Sequence, residues 1–252
     1  MKRNQLIFCL SLVSLLLTWA GCANTEITAN GTVASSRAKV IEPGPVSGDR
    51  VPDPNGDRFL EEVLKFREAT ADPAETRRVV LCIGSSSFRM WKAQEALPEY
   101  KVYNFGFGGS HFSDVNALWP ELACPVQPRF VLIYEGDNDV ADGKSVFQVY
   151  EDFLETMGRV QASYPKADVV IVPVKPSPTR VQYWDAAQKL NLVMFAYAEE
   201  RPNVHLVTGI IEGLLDGEGN PIPSLYADGL HLNDKGYRIW NAAIREMLAG
   251  LE

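Results

Sequence analysis

Residues 79–91 read VVLCIGSSSFRMW, and the way this stretch is read decides the fold. The β-branched and apolar run from Val79 to Ile83 stops at Gly84 and gives way to three hydroxyls, Ser85 to Ser87. Phe88-Arg89-Met90-Trp91 can then start a helix, so the pattern is strand, tight turn, helix. A turn of this kind lifts a serine clear of the end of a buried strand, into the crevice where open α/β sheets bind ligands. On these residues alone a nucleophilic serine and a helix-capping serine are equal readings, because Ser is a favoured N-cap residue.

Working outward, short β-rich runs alternate with longer amphipathic ones. Strands are expected at Val79–Ile83, Lys101–Phe105, Arg129–Glu135, Ala167–Val174 and Asn203–Val207. A helix is expected over Arg58–Arg67. Val146, Val149, Tyr150, Phe153, Met157 and Val160 recur at helical spacing, Trp184–Glu200 behaves similarly, and a last helix follows Asn233, a good N-cap. Strand and helix in alternation imply a parallel sheet with helices on both faces. Trp91, Trp119, Trp184 and Trp240 are expected to pack helices onto the sheet, with Trp91 near enough to the turn to wall a pocket.

The 252 residues provide for one α/β domain with a full core, and 46% hydrophobic with 22% charged residues is a globular balance. The formal charge of −8 repels phosphate backbones, so nucleic-acid binding is not expected. At the N-terminus Lys2 and Arg3 precede an apolar run, Leu6 to Ala20, which reads as an export signal at residues 1–21. It is shorter than the roughly 20 apolar residues a spanning helix needs. Trp19-Ala20-Gly21-Cys22 resembles a bacterial lipoprotein signal, which implies a lipid anchor on Cys22. By the same resemblance Ala23 favours the outer membrane; otherwise the protein is periplasmic or secreted. Residues 22–56, punctuated by Pro43, Pro45, Pro52 and Pro54, read as a flexible tether, with a segment packed along the domain as second choice. Residues 57–252 form the expected catalytic domain. Cys82 lies in an apolar run and reads as a buried free thiol, although a bridge to Cys124 stays open in an exported protein.

The chemistry is expected where strands end. The first strand is followed by Gly84-Ser85-Ser86-Ser87, the second by a loop running from Asn104 to Ser110, the third by Gly136-Asp137-Asn138-Asp139. Each alone is a plain turn, since Gly, Asn and Asp dominate turns for conformational reasons. Three at one edge mean more, because glycines let backbone N–H groups approach a ligand and Asn adds an amide donor. A serine nucleophile needs a base, and of the three histidines only His231 has a carboxylate, Asp228, at close range in a loop. His111 and His205 read as surface or packing residues.

GSSS, NFGFGG, GDND and DGLH, in that order, resemble the blocks of the SGNH hydrolase superfamily, the GDSL esterases and lipases. GSSSFRMW, with KPSPTR at residues 175–180 and DGLHLN at 228–233, is most similar to the bacterial branch resembling platelet-activating-factor acetylhydrolase catalytic subunits. Ser85 stands where the motif has Asp, a form usual in that branch. The resemblance implies a three-layer α/β/α, flavodoxin-like fold with a five-stranded parallel sheet. It also implies Ser86 as nucleophile, His231 as base and Asp228 as its orienting partner. The oxyanion hole would comprise the N–H groups of Ser86 and Gly109 and the side-chain amide of Asn138. No cofactor or metal is expected: there is no HExxH, and no GxSxG of the α/β-hydrolase type. The expected activity is hydrolysis of carboxylic esters, first of acetyl esters on envelope or environmental carbohydrate, second of short-chain or lysophospholipid esters. The reading from another class is a catalytically silent, glycan-binding lipoprotein of the same fold.

Overall fold

Val80, Leu81, Cys82 and Ile83 are all fully buried, as expected of a strand covered on both faces of a parallel sheet. The computed structural model describes residues 50–68 and 78–252. The expected signal peptide, Cys22 and most of the tether lie outside the described residues. In chain order the elements are α1 Leu60–Glu68, β1 Val79–Gly84, α2 Ser86–Arg89, α3 Ala93–Ala96, β2 Lys101–Gly106, α4 Phe112–Ala117 and α5 Trp119–Leu122. There follow β3 Pro128–Tyr134, α6 Asp137–Ala141, α7 Val146–Ser163, β4 Asp168–Ile171, α8 Trp184–Glu199, β5 Val204–Leu206, α9 Ile210–Leu214 and α10 Asp234–Gly250.

The five strands are parallel in the order β2-β1-β3-β4-β5, the flavodoxin-like order. Alternate side chains feed two cores. Leu81, Ile83, Phe105, Val131 and Ile133 pack with Val63 of α1, Phe153 and Met157 of α7 and Leu190 of α8. Val80, Cys82, Phe130, Leu132 and Tyr134 pack on the opposite face with Phe88, Ile210 and, from α10, Trp240, Ile244 and Leu248. The expected three-layer α/β/α arrangement is therefore observed. Cys82 belongs to one core and Cys124 to the other, both free and buried, so the sheet stands between them and a bridge is ruled out.

Local chemistry fixes the helix starts. Ser145 caps α7, accepting from the Gln148 N–H in a capping box, and the Asn233 side chain accepts from Lys235 and Gly236 at the start of α10. Two expected boundaries move furthest. β4 is shorter than Ala167–Val174, because Asn191 of α8 takes over both backbone groups of Val174, at 2.8 and 2.9 Å, in place of a strand neighbour. The tether expected to run to residue 56 is bound to the domain from Arg50. Arg50 pairs with Asp152 (3.1 Å), Val51 exchanges backbone bonds with the Gln148 side chain, and Asp53 pairs with Lys144 (2.8 Å).

Registry places the loops. Gly84 lies level with Gly106 of β2 and with Tyr134 of β3, so the chain leaves β1, β2 and β3 side by side at one edge.

Candidate active site

At the end of β1 the chain turns on Gly84, with φ 157°; a Cβ there would lie 2.0 Å from the Tyr134 carbonyl oxygen. Only glycine fits this approach to β3. The Ser85 N–H donates to that same carbonyl (3.0 Å), and Ser86 opens the one-turn helix α2. Ser85 occupies the N-cap position but its side chain makes no cap bond. Ser87 is not the cap either: it is buried and hydrogen-bonded to the Tyr134 phenol.

Ser86 Oγ lies 2.9 Å from His231 Nε2, and His231 Nδ1 lies 2.7 Å from Asp228 Oδ2. The second oxygen, Oδ1, accepts the backbone N–H groups of His231 (2.7 Å) and Leu230 (2.9 Å). These bonds, the one from His231 Nδ1 first, hold the Asp228 carboxyl well below the usual carboxylate range although it is largely exposed. A carboxylate can only accept, so the Nδ1 hydrogen faces Asp228 and the Nε2 lone pair is left to accept the Ser86 hydroxyl. The loop carrying His231 is closed by the Ala227 N–H donating to the His231 carbonyl and turns on Gly229, with φ 83°.

The glycine loop after β2 is tied to the same turn: the Phe107 N–H donates to the Gly84 carbonyl (2.9 Å), and Ser110 Oγ to the Phe107 carbonyl (3.0 Å). Gly109 has φ 82°, and its carbonyl accepts from Arg58 (3.0 Å), itself paired to Asp114 (2.7 Å). Asn138, on α6, donates from Nδ2 to the Ser110 carbonyl (2.9 Å). The structure thus joins Ser86, His231 and Asp228 in one hydrogen-bonded line and sets Asn138 against the loop that carries Gly109. His111 and His205 are engaged elsewhere, with Asp142 and Asp168, each at 3.0 Å. Trp91 is buried against Phe88 and Trp240 and also lines a shallow cleft with Gln94 and Asn104.

A model of the GDSL-like lipase/acylhydrolase family matches residues 84–239, from the turn at Gly84 into α10. The chain belongs to this family. It is accordingly an ester-hydrolysing enzyme, a GDSL-like acylhydrolase. Among solved structures it is similar to a Streptococcus pneumonia protein named for platelet activating factor. The two are 18% identical with a TM-score of 0.67, over 76% of this chain and 93% of that one. A GDSL-like lipase from Bacteroides thetaiotaomicron VPI-5482 is 22% identical, with a TM-score of 0.59 over 79% and 98% of the two chains. A carbohydrate esterase family 3 protein from Talaromyces cellulolyticus is 15% identical, with a TM-score of 0.52 over 69% and 97%. At these identities the likeness is one of fold. No curated relative matches the chain.

Three loops and the His231 segment were assigned from sequence, and a fourth edge segment was not. Residues 175–180, which follow β4, send Lys175 and Arg180 to the Asp137 carboxylate, at 3.4 and 2.6 Å, and the Tyr134 phenol donates to it as well. The signal was present in KPSPTR, two cations after a strand in an acidic chain.

A buried acid also meets the glycine loop. Glu135 is buried; its Oε2 lies 2.8 Å from Ser110 Oγ and its Oε1 has no partner. Burial, followed by the charge of Asp139, pushes its carboxyl well above the ordinary range, and burial likewise pushes Asp139 up to about 6. An acid raised in the folded state favours folding fully below its unfolded value, about 4.3, and loses that contribution as pH rises through the folded value. Glu135→Gln is therefore expected to flatten the fall in stability as pH rises above about 4.3, measured as urea midpoints across a pH series. An unchanged pH slope would show that Glu135 is not held neutral.

Proposed function

We propose that the enzyme is a serine esterase in which Ser86 is the nucleophile, His231 the general base and Asp228 its orienting carboxylate. The observation that carries this is the 2.9 Å contact between Ser86 Oγ and His231 Nε2, with Asp228 on the far nitrogen. His231 takes the hydroxyl proton as Ser86 Oγ bonds to the ester carbonyl carbon. The carbonyl oxygen, now an oxyanion, is met by the N–H groups of Ser86 and Gly109 and by the Asn138 amide, each such donor contributing about 10²- to 10³-fold in rate. The tetrahedral adduct collapses as the C–O bond to the alcohol breaks, and His231 returns the proton to that leaving oxygen. Water, deprotonated by His231, then cleaves the acyl-Ser86 ester, and the proton passes back to Ser86.

The substrate is proposed to be an acetyl ester on carbohydrate. The fold shared with a carbohydrate esterase supports this, as does the export signal read at the N-terminus, with anchoring through Cys22 at the outer membrane. Full-length protein assayed on p-nitrophenyl esters from acetyl to palmitoyl is expected to favour acetyl, with kcat/KM falling at least about tenfold by octanoyl, and to release acetate from acetylated xylan. One methylene in an apolar pocket is worth about 1–3 kcal/mol, so a short-acyl site discriminates steeply. A maximum at long acyl chains, or turnover of lysophospholipid but not of xylan, would reassign the substrate to lipid.

A further inference from the structure

We infer that Arg180 is a positioning residue for the oxyanion donor Asn138, which rests on the reading of Asn138 just given. An amide side chain has two ends of similar shape, and one orientation serves an oxyanion while the other repels it. Arg180 Nη2 lies 2.9 Å from Asn138 Oδ1, and a guanidinium can only donate. The carbonyl end of Asn138 is therefore held toward Arg180, and the NH₂ end is turned to the glycine loop, where one hydrogen meets the Ser110 carbonyl and the second is left for the substrate oxygen.

The guanidinium is itself fixed. Its Nη1 lies 2.6 Å from Asp137 Oδ1, while the other oxygen of Asp137 takes the Tyr134 phenol (3.1 Å) and the fully buried Lys175 (3.4 Å). Arg180 is thus a fork with one prong on Asp137 and one on Asn138, consecutive residues of the same helix start. Thr179, its neighbour, donates from its backbone N–H (3.1 Å) and from Oγ1 (3.2 Å) to the Gly229 carbonyl, inside the loop that carries His231. Two adjacent residues therefore brace the donor side and the base side of the site.

Lysine at 180 keeps a cation for Asp137 but lacks the planar fork that reaches both partners. Arg180→Lys is therefore expected to lower kcat on p-nitrophenyl acetate by about 10²-fold, the order of losing one oxyanion donor, with KM changed less than about threefold. The decisive measurement is the cycle with Asn138→Ala. If Arg180 works through Asn138, the double variant has the kcat of Asn138→Ala alone. A double variant slower by the product of the two single losses would overturn the inference and give Arg180 an independent role, as would an Arg180→Lys enzyme with full kcat. A Ser86→Ala enzyme with full activity would instead fell the esterase mechanism, so the two failures are distinct. Arg180→Met, compared by thermal unfolding and circular dichroism, separates loss of fold from loss of orientation.

Discussion

Ser86→Ala is expected to lower kcat/KM on p-nitrophenyl acetate by about 10⁴-fold or more while leaving the fold in place. The size follows from the geometry: Ser86 Oγ is the hydroxyl 2.9 Å from His231 Nε2. Its neighbours cannot substitute, because Ser85 is buried behind the turn and Ser87 is turned to the Tyr134 phenol. The stability cost is small, since Ser86 is only half-buried and a hydroxyl hydrogen bond contributes about 0.5–1.5 kcal/mol net. Labelling with a fluorophosphonate reports the same residue independently, and the variant should not label. If Ser87→Ala silences the enzyme while Ser86→Ala does not, the nucleophile has been placed on the wrong serine.

The second large effect is at Asp228. Its two oxygens accept three donors, His231 Nδ1 on one and the N–H groups of His231 and Leu230 on the other. A carboxamide has one acceptor oxygen. In Asp228→Asn that oxygen stays with the two backbone donors, and the NH₂ faces Nδ1. The imidazole proton must then move to Nε2, where it faces Ser86 and no lone pair remains to take the hydroxyl proton. A loss in kcat of about 10³- to 10⁴-fold is expected. Asp228→Ala should lose less, because the Asp228 side chain is 54% exposed and water can accept from Nδ1 in its place. Equal losses would argue against the tautomer argument, and an Asn variant with full kcat would remove Asp228 from the mechanism.

Most of the frame was legible in sequence for one reason: a parallel strand buried on both faces must be apolar along its whole length, so β1, β2 and β3 announce themselves and so do the points where they stop. Ser86, Gly109 and Asn138 follow those stops, in loops whose glycines and amides have no apolar pattern to hide in, and Asp228 and His231 stand in the loop before α10. The Asp137, Lys175 and Arg180 network was not legible, because a charged residue near a turn reads as a solvated one until the fold brings another strand's loop against it. Glu135 was hidden the opposite way, absorbed into the end of an apolar run. The capping role weighed for the serines failed because α2 is a single turn, too short to depend on a cap. The docking of residues 50–53 depends on Lys144 and on Gln148 and Asp152 of α7, about a hundred residues away along the chain, a separation no local pattern reports.

That docking has a mechanical consequence. Arg58 holds the Gly109 carbonyl of the glycine loop, so a displacement of the chain entering the domain bears on that loop. Any such displacement reaches Arg50, Val51 and Asp53 first, and their bonds to Asp152, Gln148 and Lys144 spread it along the start of α7 and the residues just before it. The segment is thus tied down upstream of Arg58, and a displacement of the entering chain meets these bonds before it meets the contact with the glycine loop.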